Sequence, residues 1–297
     1  DISFIIGGNE MILKLKNVKK KYSNFELNCT LSLEEGKVTG LIGANGTGKT
    51  TTFKGILNLI HLDEGEIEIF DTPLNQLSRK QKENIGVVLS ERTFSGYLNI
   101  RQIVSIMEKT YQQFKKDWFI KQCENYQLPL NKKIKDFSTG MLGKMKLLLA
   151  ISYDPQLLIL DEPTEGLDIV VRDEMINLLR SYMMDERRSI LISSHVSSDL
   201  ENFCDDVYFI HDGKILHHEE MPVLLDEYGI LKIREEEYNK IDKNHLLYRK
   251  RESFGYSCLT TKKQFYQENY PQFVIDKGSI DEMLLMIVKG EKICQVC

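Results

Sequence analysis

Apolar and polar positions alternate along residues 11–22 (MILKLKNVKKKY) and again along 25–36 (FELNCTLSLEEG). A period of two belongs to strands that bury one face, so this pair predicts an antiparallel β layer. Residues 37–43 (KVTGLIG) break the alternation and run apolar on both faces, as a buried strand of a parallel sheet does. The same continuity recurs in ENIGVVLS (83–90), LLILDEP (157–163) and SILISSH (189–195). GEIEIFDTPL (65–74) reads as a short strand and turn, and DVYFIHDGKIL (206–216) as a hairpin. Between the strands, residues 50–60, 140–152 and 170–186 carry helical spacing.

Residues 99–128 differ from both patterns: long helical periods, charged faces and no Gly predict an inserted helical subdomain, spanning about 92–150 with its continuation after Ser138. Strands alternating with helices make the chain α/β with a mostly parallel core sheet. The character shifts again after Tyr228. Residues 228–297, with ILKI, SCLTT and FVID among mixed charges, read as a small separate α+β accessory domain. Its last helix is announced by Ser279 and Glu282 at capping-box spacing. The main domain then covers 11–227, and residues 1–10 read as an expression remnant or a disordered N-terminus ahead of a natural start at Met11.

Composition narrows the function. The net charge of -5 over 297 residues opposes general nucleic-acid binding, which asks for a basic face. Apolar runs such as MLLMIV (283–288) are core-sized and far short of the roughly 20 residues of a membrane span. The six cysteines are scattered rather than paired, which fits a reducing cytosol; the terminal CQVC (294–297) lacks a second pair or a nearby His and is read as without function.

The chemistry sits first in GANGTGKT (43–50), G-x-x-x-x-G-K-T, with an apolar strand before it and a helix after it. Gly43, Gly46 and Gly48 give the backbone freedom to wrap a phosphate, and the N–H groups of Ala44, Asn45 and Thr47 turn inward with them. Lys49 brings a point charge to the β- and γ-phosphates, the Thr50 hydroxyl is placed for Mg²⁺, and Thr51 continues the helical turn whose positive end faces the phosphates. This is a nucleotide-binding P-loop.

A second signal is the pair of acids that ends the apolar run LLIL: unpaired buried charge is costly, so Asp161 and Glu162 need a purpose. Asp161 is placed to hold Mg²⁺, directly or through water, and Glu162 to polarise a water toward the γ-phosphate. His195 ends the apolar strand SILISS, which on this reading lies beside the one that ends at Asp161 and so brings the imidazole to the same phosphates.

Together these motifs resemble the ATP-binding subunit of ABC transporters over about residues 12–226. Tyr22 resembles the aromatic residue that stacks on adenine, FSTGM (137–141) the family signature, LLILDE the Walker B segment, EGLD (165–168) the D-loop and SSH (193–195) the H-switch. The resemblance implies a P-loop NTPase fold with an antiparallel β subdomain, and ATP with Mg²⁺ bound between two subunits arranged head to tail. Ser138 and Gly140 of one subunit would touch the γ-phosphate held by Lys49 of the other, and Asp168 would act across the dimer. It further implies a separate transmembrane permease and a cytoplasmic position, peripheral on the inner face of the membrane.

The departures from the family pattern are Thr139 and Met141 in the signature, and Ser90 followed by Glu91 where a Gln usually stands. Either Ser90 or Glu91 could serve in its place at the metal or the attacking water, and Ser90 becomes a candidate metal group. By the same resemblance the groove for the permease includes FSGY (94–97), whose aromatics would equally suit core packing. The style of the motifs points to export of an antibiotic or peptide; the alternatives are an ABC-type ATPase not coupled to transport and a nucleotide-dependent regulatory module. The C-terminal unit resembles extensions of exporter ATPases, with dimer contact or regulation as its candidate roles.

Overall fold

The computed structural model describes residues 10–91, 94–195 and 198–293. The readings of residues 1–9 and of the CQVC tail lie outside them. Ten strands form one curled sheet: β1 Met11–Tyr22, β2 Phe25–Glu34, β3 Val38–Ile42, β4 Glu64–Ile69, β5 Thr72–Pro73, β6 Ile85–Val88, β7 Leu157–Asp161, β8 Ser189–Ser194, β9 Asp206–His211 and β10 Lys214–Glu220. Their spatial order is β5-β4-β1-β2-β10-β9-β3-β8-β7-β6.

The run β9-β3-β8-β7-β6 is parallel throughout, and β3, β7 and β8 are buried at every position, which is why their sequences are apolar without alternation. β1, β2, β4 and β5 pair antiparallel. β1 buries Ile12, Leu13, Leu15 and Val18, its alternation interrupted by register shifts between Met11 and Leu13 and between Leu15 and Val18, and its lysines Lys14, Lys19 and Lys20 meet Asp71, Glu64 and Asp63. The β9–β10 hairpin joins the two halves, with Lys214 of β10 set opposite Asn28 of β2.

The 99–128 stretch is helical, in two helices, Ile100–Thr110 and Lys116–Asn125. The break has a tertiary cause: Tyr111 leaves helical geometry to stack on Tyr153 at 4.3 Å, and the Lys115 N–H donates to the Ser152 carbonyl. With helix Thr139–Ile151 they enclose a core of Ile103, Met107, Phe119, Met145 and Leu148.

The C-terminal residues form a second sheet from β11 Gly229–Arg234, β12 Leu246–Glu252, β13 Gly255–Thr260, β14 Val274–Asp276 and β15 Glu291–Lys292, in the order β14-β11-β13-β12-β15. One face has its own core around Leu231, Ile233, Cys258 and Tyr266. The other face is continuous with the main body: Ile280, Met283 and Met286 of helix Ile280–Lys289 share a cluster with Leu200, Cys204 and Leu224. The unit is therefore α+β, as its sequence suggests, but joined to the main body by shared apolar packing. Met283 is fully buried in that seam, so Met283→Ala is expected to lower unfolding stability by about 2–4 kcal/mol, read as a shift of the denaturation midpoint.

Candidate functional site

The parallel order sets the site. β3, β8 and β7 are adjacent and point the same way, so the segments leaving their C-terminal ends converge on one edge: the cradle after β3, Asp161 and Glu162 at the end of β7, His195 after β8, and Ser90 after β6. Ligands in open α/β sheets bind at this edge.

Helix Lys49–Ile56 opens on Gly48 at φ 113°, with no side chain capping its first turn and no acid in it. Its leading N–H groups are thus presented to an anion. Gly43 is required by crowding, since a Cβ there would lie 2.4 Å from the Ile210 carbonyl oxygen. Ala44, Asn45 and Gly46 are exposed on the loop, with Gly46 at φ 82°; Thr47 is buried, its hydroxyl donating to the Ala44 carbonyl at 2.8 Å, and Thr51 is half-buried in the first helical turn. Lys49 is buried and donates to the carbonyls of Gly43 at 2.5 Å and Ala44 at 3.1 Å. Its Nζ also lies 3.1 Å from Glu162 Oε1.

Glu162 is the hinge of the arrangement. Its second oxygen, Oε2, stands 2.7 Å from His195 Nδ1 and accepts the His195 backbone N–H at 3.2 Å. Its backbone is left-handed, at φ 50°, a conformation that costs a non-glycine residue on the order of 1 kcal/mol and is held by its surroundings. The Glu162 N–H donates to Ser193 Oγ at 3.0 Å, and Ser193 Oγ donates to Asp161 Oδ1 at 2.9 Å. Sequence reasoning does not single out Ser193; its signal is its place in SSH, opposite Asp161 in the β7–β8 register.

Asp161 is fully buried, and its Oδ2 accepts from Thr50 Oγ1 at 2.9 Å and Ser90 Oγ at 3.1 Å. Two hydroxyls and a carboxylate around one point are hard oxygen donors of the kind Mg²⁺ takes alongside water and phosphate oxygens. Among the described residues no cluster of three His, Cys, Asp or Glu side chains could cage a metal.

Tyr22 is about half exposed at the end of β1, its ring centroid 6.2 Å from that of Phe25. Phe25 in turn borders the cradle, with its Cζ 3.0 Å from where a Gly48 Cβ would stand. Ser138, Gly140 and Asp168 form a second group. Ser138 caps helix Thr139–Ile151 by accepting the Met141 N–H, and Asp168 caps helix Ile169–Tyr182 by accepting that of Val171. The two helix starts pack together, with Val171 3.3 Å from where a Gly140 Cβ would stand. Among the described residues, this group makes none of the contacts that tie the cradle to Asp161, Glu162 and His195. Phe94 borders a small cleft of about 60 Å³ with Phe137 and Leu142, while Tyr97 is 72% exposed.

A parallel core that gathers a phosphate cradle, a buried carboxylate with two hydroxyls and a Glu–His pair at one sheet edge defines a P-loop ATPase. A family model described as ABC transporter matches residues 27–165. The chain is 32% identical over 199 residues to the ABC transporter ATP-binding protein YtrB of Bacillus subtilis, covering 67% of this chain and 68% of the relative. It is 34% identical over 215 residues to the bacitracin transport ATP-binding protein BcrA of Bacillus licheniformis, covering 71% and 70%. It is 31% identical over 256 residues to the lantibiotic transport ATP-binding protein SrtF of Streptococcus pyogenes, covering 81% of this chain and all of that one.

A solved ATP-binding subunit of an ABC transporter superposes with a TM-score of 0.65 at 22% identity, covering 72% of this chain and 91% of the other. A dimeric ATP-binding cassette bound to ADP and Pi does so with a TM-score of 0.61 at 21% identity, covering 70% and 98%. The chain belongs to the ABC transporter family, as an ATP-binding subunit and an ATPase. No described helix is long and apolar enough to cross a membrane.

Proposed function

We propose that two copies of this chain, or this chain and a homologous ATPase subunit, close head to tail on ATP and hydrolyse it to drive a separate transmembrane permease that exports an antibiotic or peptide. The observation that carries the hydrolytic part is the line Lys49–Glu162–His195 lying beside the Thr50–Asp161–Ser90 oxygens. The relatives named for bacitracin and lantibiotic transport support the cargo.

In this reading the cradle from Gly43 to Thr51 wraps the phosphates and Tyr22 stacks on the adenine. Lys49 exchanges Glu162 for phosphate oxygens. Glu162, released on one side and still held by His195 on the other, accepts a proton from the water that attacks the γ-phosphorus. The bond from that phosphorus to the bridging oxygen breaks, and its electron pair leaves with ADP. Thr50, Asp161 and Ser90 would hold Mg²⁺, which when bound neutralises charge on the phosphate oxygens. Ser138 and Gly140 of the second copy meet the γ-phosphate, and Asp168 works across the same seam. Residues 11–227 are the ATPase domain, with the helical part at about 92–150 presenting Tyr97 to the permease, and 228–297 the accessory domain. The subunit lies on the inner face of the membrane through its permease.

Affinity purification of the tagged chain from its own cells in mild detergent is expected to bring down a multi-span membrane protein and a vanadate-sensitive ATPase activity. A chain recovered in good yield with no such protein, its ATP turnover indifferent to vanadate, would overturn the reading.

A further inference from the structure

Lys146 is an oddity of its helix. Its neighbours Met145, Leu147, Leu148 and Leu149 are all buried, and a cation in that setting carries a desolvation cost that pulls the lysine pKa down. Among the described residues no carboxylate lies within ion-pair distance of it. Instead its Nζ donates to two backbone carbonyls, Leu89 at 2.9 Å and Glu91 at 2.7 Å. Those carbonyls flank Ser90, the residue whose hydroxyl reaches Asp161 Oδ2 at 3.1 Å. The same short segment has a third tether: the Glu91 carboxylate accepts from Lys54 Nζ at 2.7 Å, and this bond raises the Lys54 pKa. Three elements therefore grip three consecutive residues: the helix headed by Ser138, the end of β7, and the helix that begins at the phosphate cradle.

The geometry matters because Ser is shorter than Gln or Glu and carries its hydroxyl close to the backbone. Ser90 can stay within hydrogen-bond reach of Asp161 only while the Leu89–Glu91 backbone is held against β7. We infer that Lys146 is a positioning residue, clasping the Leu89–Glu91 backbone so that Ser90 is held at Asp161 and the Ser138 helix is mechanically tied to the oxygens of the metal site. The inference rests on the ATPase reading above. It adds that a movement of the Ser138 helix against the core is transmitted through the Lys146 ammonium to Ser90, and that a short side chain suffices at this loop because the clasp fixes its backbone.

Lys146→Met keeps the stem and removes the donors, whereas Lys146→Arg keeps the donors. Amide hydrogen exchange of the nucleotide-free protein, followed in peptides covering residues 85–91, should rise at least tenfold in Lys146→Met, with the rest of the chain unchanged and Lys146→Arg close to wild type. In steady-state ATP hydrolysis, Lys146→Met should raise the Mg²⁺ concentration for half-maximal rate at least fivefold and lower kcat about tenfold. KM for ATP at saturating Mg²⁺ should stay within twofold, and Lys146→Arg should restore both quantities to within threefold. Unchanged exchange at 85–91, or exchange that rises equally everywhere, overturns the clasp. A loosened segment with wild-type Mg²⁺ dependence and kcat overturns its positioning role. If the wild type shows no Lys49-dependent hydrolysis, the ATPase reading is what has failed, and the exchange comparison still decides the clasp.

Discussion

Glu162→Gln is expected to lower ATP turnover by roughly a thousandfold while the protein accumulates as an ATP-bound dimer. The substitution is nearly isosteric, so the left-handed backbone at this position and the Ser193 contact to its N–H are retained. An amide can still pair with His195 Nδ1, but it cannot accept a proton from water near neutral pH. It also cannot ion-pair with Lys49, whose Nζ lies 3.1 Å from the wild-type carboxylate. The lysine is therefore released toward the phosphates without competition. Binding should be preserved or tightened while the chemical step stalls, which is the combination that stabilises a closed dimer. Size-exclusion chromatography with Mg²⁺ and ATP, read beside steady-state turnover, checks both halves. A variant that stays monomeric with ATP, or that turns over within tenfold of wild type, would remove Glu162 from the role given to it.

The legible part of this chain is the part whose physics is local or strictly periodic. KVTGLIG, LLILD and SILISS can be read as parallel core strands because both faces are buried, leaving no polar positions to alternate. The cradle is legible because its glycines, lysine and hydroxyl act within eight consecutive residues. What escapes depends on where distant segments meet. Lys146 lies 57 residues from Leu89 and 55 from Glu91, so nothing near it in sequence says that its ammonium faces that loop rather than solvent. The break at Tyr111 keeps helical periodicity on either side and exists because Tyr153 and Ser152 offer partners there. The apolar stripe of Met283 and Met286 predicts a buried face but not its neighbour. A unit that looks separate in sequence therefore shares its packing with Leu200 and Leu224, and with them the short helix Ser198–Glu201 three residues after His195.

Lys49→Met should have the second large effect, and its reach extends beyond the nucleotide. Removing a charged donor to phosphate is expected to weaken ATP binding by about 10- to 100-fold, corresponding to roughly 1.5–3 kcal/mol. Turnover should fall by about a further hundredfold or more, because the charge that meets the developing transition state is gone. The lysine also neutralises Glu162 in the nucleotide-free protein, where both side chains are at least nine-tenths buried. Taking away the cation leaves the Glu162 carboxylate held at His195 Nδ1, beside the buried Asp161. The free protein should accordingly lose on the order of 3 kcal/mol of unfolding stability. Glu162→Gln in the same chain removes the stranded charge, so the double variant Lys49→Met/Glu162→Gln should recover at least half of that loss while remaining unable to hydrolyse ATP. The two substitutions would then be strongly non-additive in stability, as expected for residues in contact. Additive losses, or ATP turnover by Lys49→Met within tenfold of wild type, would mean that the cradle and Glu162 do not work as one device.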